Sequence, residues 1–100
     1  MAECLEVVRF RAKAGSEAGL IDDRAAMIAD VRERHPGLIR AELTKLDDGS
    51  YLDVLRWRSK AEAEAANAES GSIPGFAAWV QHVEEVLSLD AGEIVDESSL

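Results

Sequence analysis

Two runs of strand-forming residues flank a short acidic turn, and this arrangement constrains the fold more than any other part of the sequence. The runs are LIRAELTKL and SYLDVLRWR, and DDG lies between them. Apolar alternation on both sides of an Asp-Gly pair predicts a β-hairpin. A two-residue turn would place Arg40 opposite Trp57, whereas a three-residue loop over 47–49, with a left-handed glycine, would place Ile39 there.

The distribution of apolar residues favours the three-residue loop. Because a one-residue slip moves every side chain across the sheet, the register with the cleaner segregation is the expected one. In that register Trp57 faces the helices together with Tyr51 and Asp53, while Arg56 points to the opposite face. The apolar face then holds Ile39, Ala41, Leu43, Leu55 and Trp57, and the opposite face holds Leu38, Leu46, Leu52 and Val54 among charged residues.

The first part of the chain reads as a strand followed by a long helix. Loose alternation in CLEVVRFRA predicts a first strand over about 4–12. Apolar residues at three- and four-residue spacing then predict one helix that begins after Ser16 as N-cap. That helix is expected to end near His35, because Pro36 disfavours helical dihedrals in the residue before it.

The part of the chain after the hairpin reads as two helices and a last strand. Ser59 followed by Glu62 predicts a capping box at the start of an alanine-rich helix. Pro74 fits the first position of a short helix over 73–82. The remaining run, EEVLSLDAGEIVD, predicts a fourth strand with a bulge near Ala91-Gly92.

The order β-α-β-β-α-β predicts a ferredoxin-like α+β fold with a four-stranded antiparallel sheet, in a single domain over 1–100. Helical segments in this order cover one face of the sheet. The other face carries apolar residues among its charges, so we expect a homodimer in which two sheets pack together.

Charge and cysteine content limit the partners and the compartment. The net charge is −9, and residues 61–100 hold nine acidic groups and no basic one. Clustered positive charge is needed to bind phosphates, so nucleic acid is not an expected partner. The acidic segment fits either solubility or docking beside a second subunit. A single cysteine, no export leader and no long apolar run predict a cytoplasmic protein that does not enter membranes.

The candidate site is apolar and aromatic. No metal-ligand spacing and no phosphate-binding glycine loop is present in the sequence. Aromatic residues at helical spacing fit an ordinary core, but two tryptophans at a sheet–helix seam also fit a flat hydrophobic ligand. The catalytic candidates are Trp57, Tyr51, Asp53 and His82, of which the last three could accept a proton. The candidates for substrate binding are Phe10, Met27, Trp57, Phe76 and Trp79.

Four segments, VVRFRAKAG, HPGLIRAEL, DDGSYLDVLRWRSKAEAEA and PGFAAWVQH, together resemble the antibiotic biosynthesis monooxygenase family of the dimeric α/β-barrel superfamily. The resemblance covers about residues 3–96. It implies a homodimer with a pocket between sheet and helices in each subunit. It also implies oxidation of aromatic, polyketide-like phenols or anthrones without metal, flavin or haem. In such chemistry the deprotonated substrate reduces dioxygen, and the protein binds it, orients it and excludes water.

The same resemblance leaves two alternatives. A haem-degrading branch of the superfamily uses an asparagine, a tryptophan and a histidine. Trp57 matches the tryptophan, but Val8 and Val80 stand at the other two positions, and His82 would replace the histidine only if the helix shifted by about half a turn. Haem degradation is therefore disfavoured. The second alternative is a non-catalytic dimeric module that binds a small apolar molecule, since one pocket lining serves either role.

Overall fold

The computed structural model describes residues 2–100 and has the element order expected from the sequence. The strands are β1 (Cys4–Ala12), β2 (Leu38–Lys45), β3 (Tyr51–Trp57) and β4 (Val83–Glu93). The helices are α1 (Glu17–Asp22), α2 (Arg24–Arg34), α3 (Lys60–Glu69) and α4 (Pro74–Val80), with a 3₁₀ turn at Ser70–Ser72.

The sheet has the strand order β2-β3-β1-β4, and all neighbouring strands are antiparallel. This is the predicted ferredoxin-like α+β fold. The even-numbered residues of β1 face the helices, and the core lies between this face and the helical layer. Its fully buried large side chains are Phe10, Leu20, Leu38, Trp57 and Ile73.

The hairpin has the predicted three-residue loop. The N–H of Leu46 donates to the Ser50 carbonyl at 2.8 Å, which closes the loop over 47–49. Gly49 has φ of +86°, a left-handed conformation that glycine adopts without a steric penalty. The Asp48 carboxylate accepts the Ser50 N–H at 2.9 Å and fixes the turn.

The predicted register fails at the far end of this hairpin. Pairing is regular from Lys45 to Arg40, but then Leu38 rather than Ile39 pairs with Trp57. The extra residue is a bulge, which turns Ile39 outward and Leu38 into the core. The assignment of Leu38 to the outer face and of Ile39 to the inner face was therefore wrong.

The bulges of β4 also lie elsewhere than predicted. The pairing of β4 with β1 is regular at Ala91 and Gly92. It skips one residue of β4 between the partners of Arg9 and Phe10, and a second one between the partners of Arg11 and Ala12. The unpaired residues are thus Leu87 and Glu84. As a result, Val83, Val86 and Leu89 all face the helices at three-residue intervals, where a regular strand would present every second residue.

The long helix predicted after Ser16 is two helices that meet at Asp23. The Asp23 N–H donates to the Gly19 carbonyl at 2.9 Å, and its own carbonyl accepts the Met27 N–H at 3.2 Å. The aspartate side chain lies 2.7 Å from the His82 imidazole. Ser16 occupies the N-cap position but forms no side-chain capping bond.

The helices after the hairpin begin where predicted. Ser59 accepts the Glu62 N–H at 3.3 Å, a cap of the kind that stabilises a helix by about 1 kcal/mol. Pro74 is the first residue of α4, where its missing N–H costs no hydrogen bond. Over residues 2–100, none of the helices has the length and apolar character needed to cross a membrane.

Candidate functional site

A cavity of about 150 Å³ lies between the inner face of the sheet and the helices. All five residues predicted to bind substrate line it, namely Phe10, Met27, Trp57, Phe76 and Trp79. Trp57 is only 2% exposed, yet a void lies beside its ring. An engineered apolar cavity of about this volume holds benzene. The space therefore fits one aromatic ring.

Aromatic side chains form the deep wall of the cavity. Phe10 stacks on Tyr51 with ring centroids 5.6 Å apart and meets Trp79 edge-to-face at 5.6 Å. The Trp79 indole N–H donates to the Leu20 carbonyl at 2.9 Å, which fixes the plane of the ring. These paired geometries make the deep wall rigid and leave an apolar surface for a ligand.

The mouth of the cavity is bounded by residues that are themselves exposed. Val86 and Leu89 of β4 are 56% and 54% exposed, and Val80 at the end of α4 is exposed as well. We call Val86 and Leu89 the β4 ledge. A ligand longer than one ring would leave the cavity across this apolar ledge.

Asp53 lies on the cavity wall but is held in an ion pair. Arg24 binds it through two nitrogens, at 2.7 Å and 2.9 Å, and both side chains are largely buried. The guanidinium also lies 5.8 Å from the centre of the Trp79 ring. A bidentate pair of this kind neutralises the carboxylate and fixes both partners. Of the three predicted proton acceptors, Asp53 is therefore the one least able to accept a proton from a ligand.

Glu6 is a second carboxylate on the cavity wall, and the sequence analysis missed it. It is 3% exposed. One of its oxygens accepts the Trp57 indole N–H at 3.1 Å, and the other accepts the side-chain amide of Asn67. Glu6 takes part in none of the ion pairs formed by residues 2–100. The cavity thus contains one carboxylate held only by neutral donors.

A signal for Glu6 was present in the sequence. Side chains alternate along a strand, so Cys4, Glu6, Val8 and Phe10 share one face of β1. Three of these residues are apolar, and a carboxylate among them is out of place in a core unless it has partners. The predicted strand and the inward direction of Trp57 together were enough to place Glu6 near the indole.

Tyr51 does not line the cavity, because its ring lies behind Phe10. Its hydroxyl donates to Glu17 at 2.6 Å, and Lys45 binds the same carboxylate oxygen at 2.8 Å. The hydrogen bond to Glu17 raises the pKa of Tyr51 above its usual value, and burial raises it further. The phenol therefore stays protonated at neutral pH.

His82 also lies outside the cavity lining. Its imidazole is 2.7 Å from the Asp23 carboxylate and packs against Gly19, where an added Cβ would be 2.4 Å from the ring. In contrast, Val8 and Val80 both line the cavity. Apolar side chains thus stand at the two positions where the haem-degrading branch described above would have its asparagine and histidine. His82 is turned towards α1.

The model of the antibiotic biosynthesis monooxygenase family matches residues 5–85, so the chain belongs to that family. No protein of curated function matches the chain. The family match agrees with the resemblance found in the sequence.

Solved structures share the fold over nearly the whole chain. SnoaB, a cofactor-independent oxygenase from Streptomyces nogalater, is 24% identical and has a TM-score of 0.69, with 100% of this chain and 98% of that chain covered. Rv0793 from Mycobacterium tuberculosis is 19% identical with a TM-score of 0.71, covering 98% and 100%. NE2512, a protein of unknown function from Nitrosomonas europaea, is 17% identical with a TM-score of 0.72, covering 100% and 96%.

Proposed function

We propose that this protein is a cofactor-independent monooxygenase that oxidises a hydrophobic aromatic substrate. The observation that carries the proposal is the aromatic cavity beside Trp57, which contains a carboxylate and has room for one ring. Family membership and the likeness to SnoaB support the same class of activity. Dioxygen would be both oxidant and co-substrate.

The proposed reaction converts a ring carbon to a carbonyl. This carbon is a methylene in an anthrone and in the keto tautomer of a naphthol. A proton leaves the substrate first, and the electron-rich anion then reduces dioxygen. One oxygen atom enters the product and the other leaves as water, so the two hydrogens of the methylene balance the equation. The protein would bind the reacting ring in the dry cavity and orient it, which lowers the barrier without a redox group of its own.

The size of the cavity divides the proposed substrate into two parts. The reacting ring would enter between Phe10, Trp57 and Trp79, while further fused rings would extend over the β4 ledge. Polyketide-like anthrones and naphthols have this shape. A rigid planar ligand also loses little conformational entropy on binding.

Oxygen consumption tests the proposal directly. The purified protein is mixed with a panel of anthrones and hydroxynaphthalenes in air-saturated buffer that contains a chelator and no added flavin or haem. We expect oxygen uptake well above the protein-free rate, and a decrease of about tenfold or more in Trp57→Phe, which keeps a ring but loses the N–H bonded to Glu6. Glu3→Gln is the matched control, because Glu3 pairs with Arg56 away from the cavity.

The same panel separates the proposal from its rival. Saturable quenching of tryptophan fluorescence without oxygen uptake from any compound would overturn the oxygenase proposal and leave a small-molecule-binding module. Uptake that requires added flavin or haem would overturn cofactor independence.

We also propose that the protein is a homodimer formed through the outer face of the sheet. Val7 and Val54 pair on this face, and Leu5 and Leu52 flank them, all only partly buried in the single chain. Sedimentation equilibrium should give the mass of two chains, and Val54→Asp should give one. Ala29→Asp, on the exposed side of α2, should leave the mass unchanged. A single-chain mass for the unmodified protein would refute the dimer.

A further inference from the structure

We infer that Glu6 is the group that selects the ligand, because it binds a hydroxyl of the aromatic ring inside the cavity. The ligand class is therefore a phenol or naphthol whose hydroxyl enters first, rather than an unsubstituted hydrocarbon or an ether. This inference names a contact within the proposed substrate site and rests on that cavity being the place where the substrate binds.

The hydrogen bonds of Glu6 leave part of its acceptor capacity free. An ionised carboxylate offers about four lone-pair positions. Two are used, one by the Trp57 indole N–H at 3.1 Å and one by the Asn67 amide. The carboxylate also lines the cavity, where the other wall atoms are mostly apolar. A ligand hydroxyl is the kind of donor that the free positions can accept.

The two donors also fix the direction of the carboxylate. Trp57 is fully buried and cannot turn away, and Asn67 lies on the exposed side of α3, where that helix borders the cavity. Glu6 is thus held between a buried donor and a surface donor. A fixed acceptor loses no side-chain freedom when the ligand binds, which strengthens discrimination.

Desolvation makes this contact selective. Glu6 is almost fully buried, so a ligand without a hydrogen-bond donor would displace the remaining water from the carboxylate. Such a ligand would form no hydrogen bond in its place, which costs binding free energy. Sites that bind a substrate hydroxyl reject analogues without it for this reason. Asp53 is less suited to the same role, because the Arg24 guanidinium already neutralises its charge.

A pair of ligands that differ only at the oxygen tests the inference. Equilibrium dialysis under nitrogen measures the dissociation constants of 2-naphthol and 2-methoxynaphthalene, so that binding is separated from oxidation. We expect the unmodified protein to prefer naphthol by about tenfold or more, which is the range of one hydrogen bond to a charged group. Glu6→Gln should reduce the preference to below about threefold, since charge-assisted bonds are about twice as strong as neutral ones.

Two further variants show which side chain causes the preference for 2-naphthol. Glu3→Gln, the same substitution on the opposite face of the sheet, should keep the full preference. Asn67→Ala removes one of the two donors that fix the carboxylate, so it should lower the preference but keep it above about threefold, because the charged acceptor remains. If Glu6→Gln unfolds the protein, a preference retained in Asn67→Ala still supports the carboxylate as the acceptor.

Other results would overturn the inference. Equal affinity of the unmodified protein for the two ligands would do so, as would a preference that survives in folded Glu6→Gln, which would indicate a steric cause. Loss of the preference in Asn67→Ala would assign the hydroxyl to the amide instead. A retained preference without any oxygen uptake would refute the oxygenase proposal and leave the role of Glu6 intact.

Discussion

The two carboxylates of the cavity wall lie on neighbouring strands but have opposite surroundings. Asp53 of β3 is bound by the Arg24 guanidinium through two short hydrogen bonds. Glu6 of β1 is held by an indole and an amide, both of them neutral. An ion-paired carboxylate stabilises the packing around it, whereas one held by neutral donors has acceptor positions left for a ligand hydroxyl. Two equally buried acidic residues can therefore differ in what they are free to bind.

The largest expected effect concerns the stability that depends on Asp53. Asp53→Ala leaves the Arg24 charge in a largely buried position without its partner, so the free energy of unfolding should fall by about 3–5 kcal/mol. Urea denaturation followed by tryptophan fluorescence measures the change. The double variant Arg24→Leu, Asp53→Leu removes both charges and should recover most of the loss. A stable Asp53→Ala protein would remove the distinction between the two carboxylates.

Glu6→Gln should show the reverse behaviour, with a small effect on stability and a large one on turnover. Glutamine keeps the shape of the side chain. Its oxygen can accept the Trp57 N–H, and its amide nitrogen can donate to the Asn67 oxygen once the Asn67 amide turns over, so unfolding should change by about 1 kcal/mol or less. Oxygen uptake should fall by about tenfold or more, because the charge-assisted hydrogen bond to the substrate hydroxyl is lost. Uptake within about threefold of the unmodified protein would show that this hydrogen bond does not position the substrate.

A substitution at the cavity mouth extends the comparison to a region with little structural role. Leu89→Ala removes half-exposed apolar surface from the β4 ledge. We expect the affinity for a two-ring ligand to fall by several fold and the free energy of unfolding to change by less than about 1 kcal/mol. Met27→Ala is the contrast in the deep wall, where truncation of a buried side chain should cost about 2–5 kcal/mol. Similar stability losses in both variants would contradict the division into wall and ledge.

The smallest expected effect concerns Glu17, an exposed carboxylate outside the cavity lining. Its hydrogen bond raises the pKa of Tyr51, the one tyrosine of the chain, above the usual 10.0. The folded pKa is the higher one, so this contribution to stability is complete below pH 10.0 and is lost as pH rises through the folded value. In Glu17→Gln the tyrosinate absorbance should appear at lower pH than in the unmodified protein. An unchanged titration would show that the hydrogen bond has no influence on the phenol.

The sequence was sufficient for the topology and for the hairpin loop, because both depend on local patterns. Alternating residues around DDG define the register near the turn, and Ser59 and Pro74 mark helix starts. The bulge at Ile39 could not be predicted in this way. It is set by tertiary packing, in which Leu38 fills the space next to Trp57.

The candidate site was predictable in its aromatic part and not in its polar part. Phe10, Trp57 and Trp79 stand out by residue type, and strand and helix periods direct them inward. The roles of acidic residues depend on partners distant in sequence: Arg24 is 29 residues from Asp53, and Asn67 is 61 residues from Glu6. Periodicity places such side chains on a face, but it does not show which of them is neutralised.

The two bulges of β4 have a consequence for how this chain would respond to a change in its length. They allow Val83, Val86 and Leu89 to face the same side although they stand three residues apart. Loss of the unpaired Leu87 would leave Val86 opposite Phe10 and Leu89 opposite Val8, so the apolar wall would survive that deletion. An inserted residue without a further bulge would instead turn polar side chains of the strand towards the cavity. The unpaired positions of this edge strand are thus the places where a deletion leaves the ligand surface unchanged.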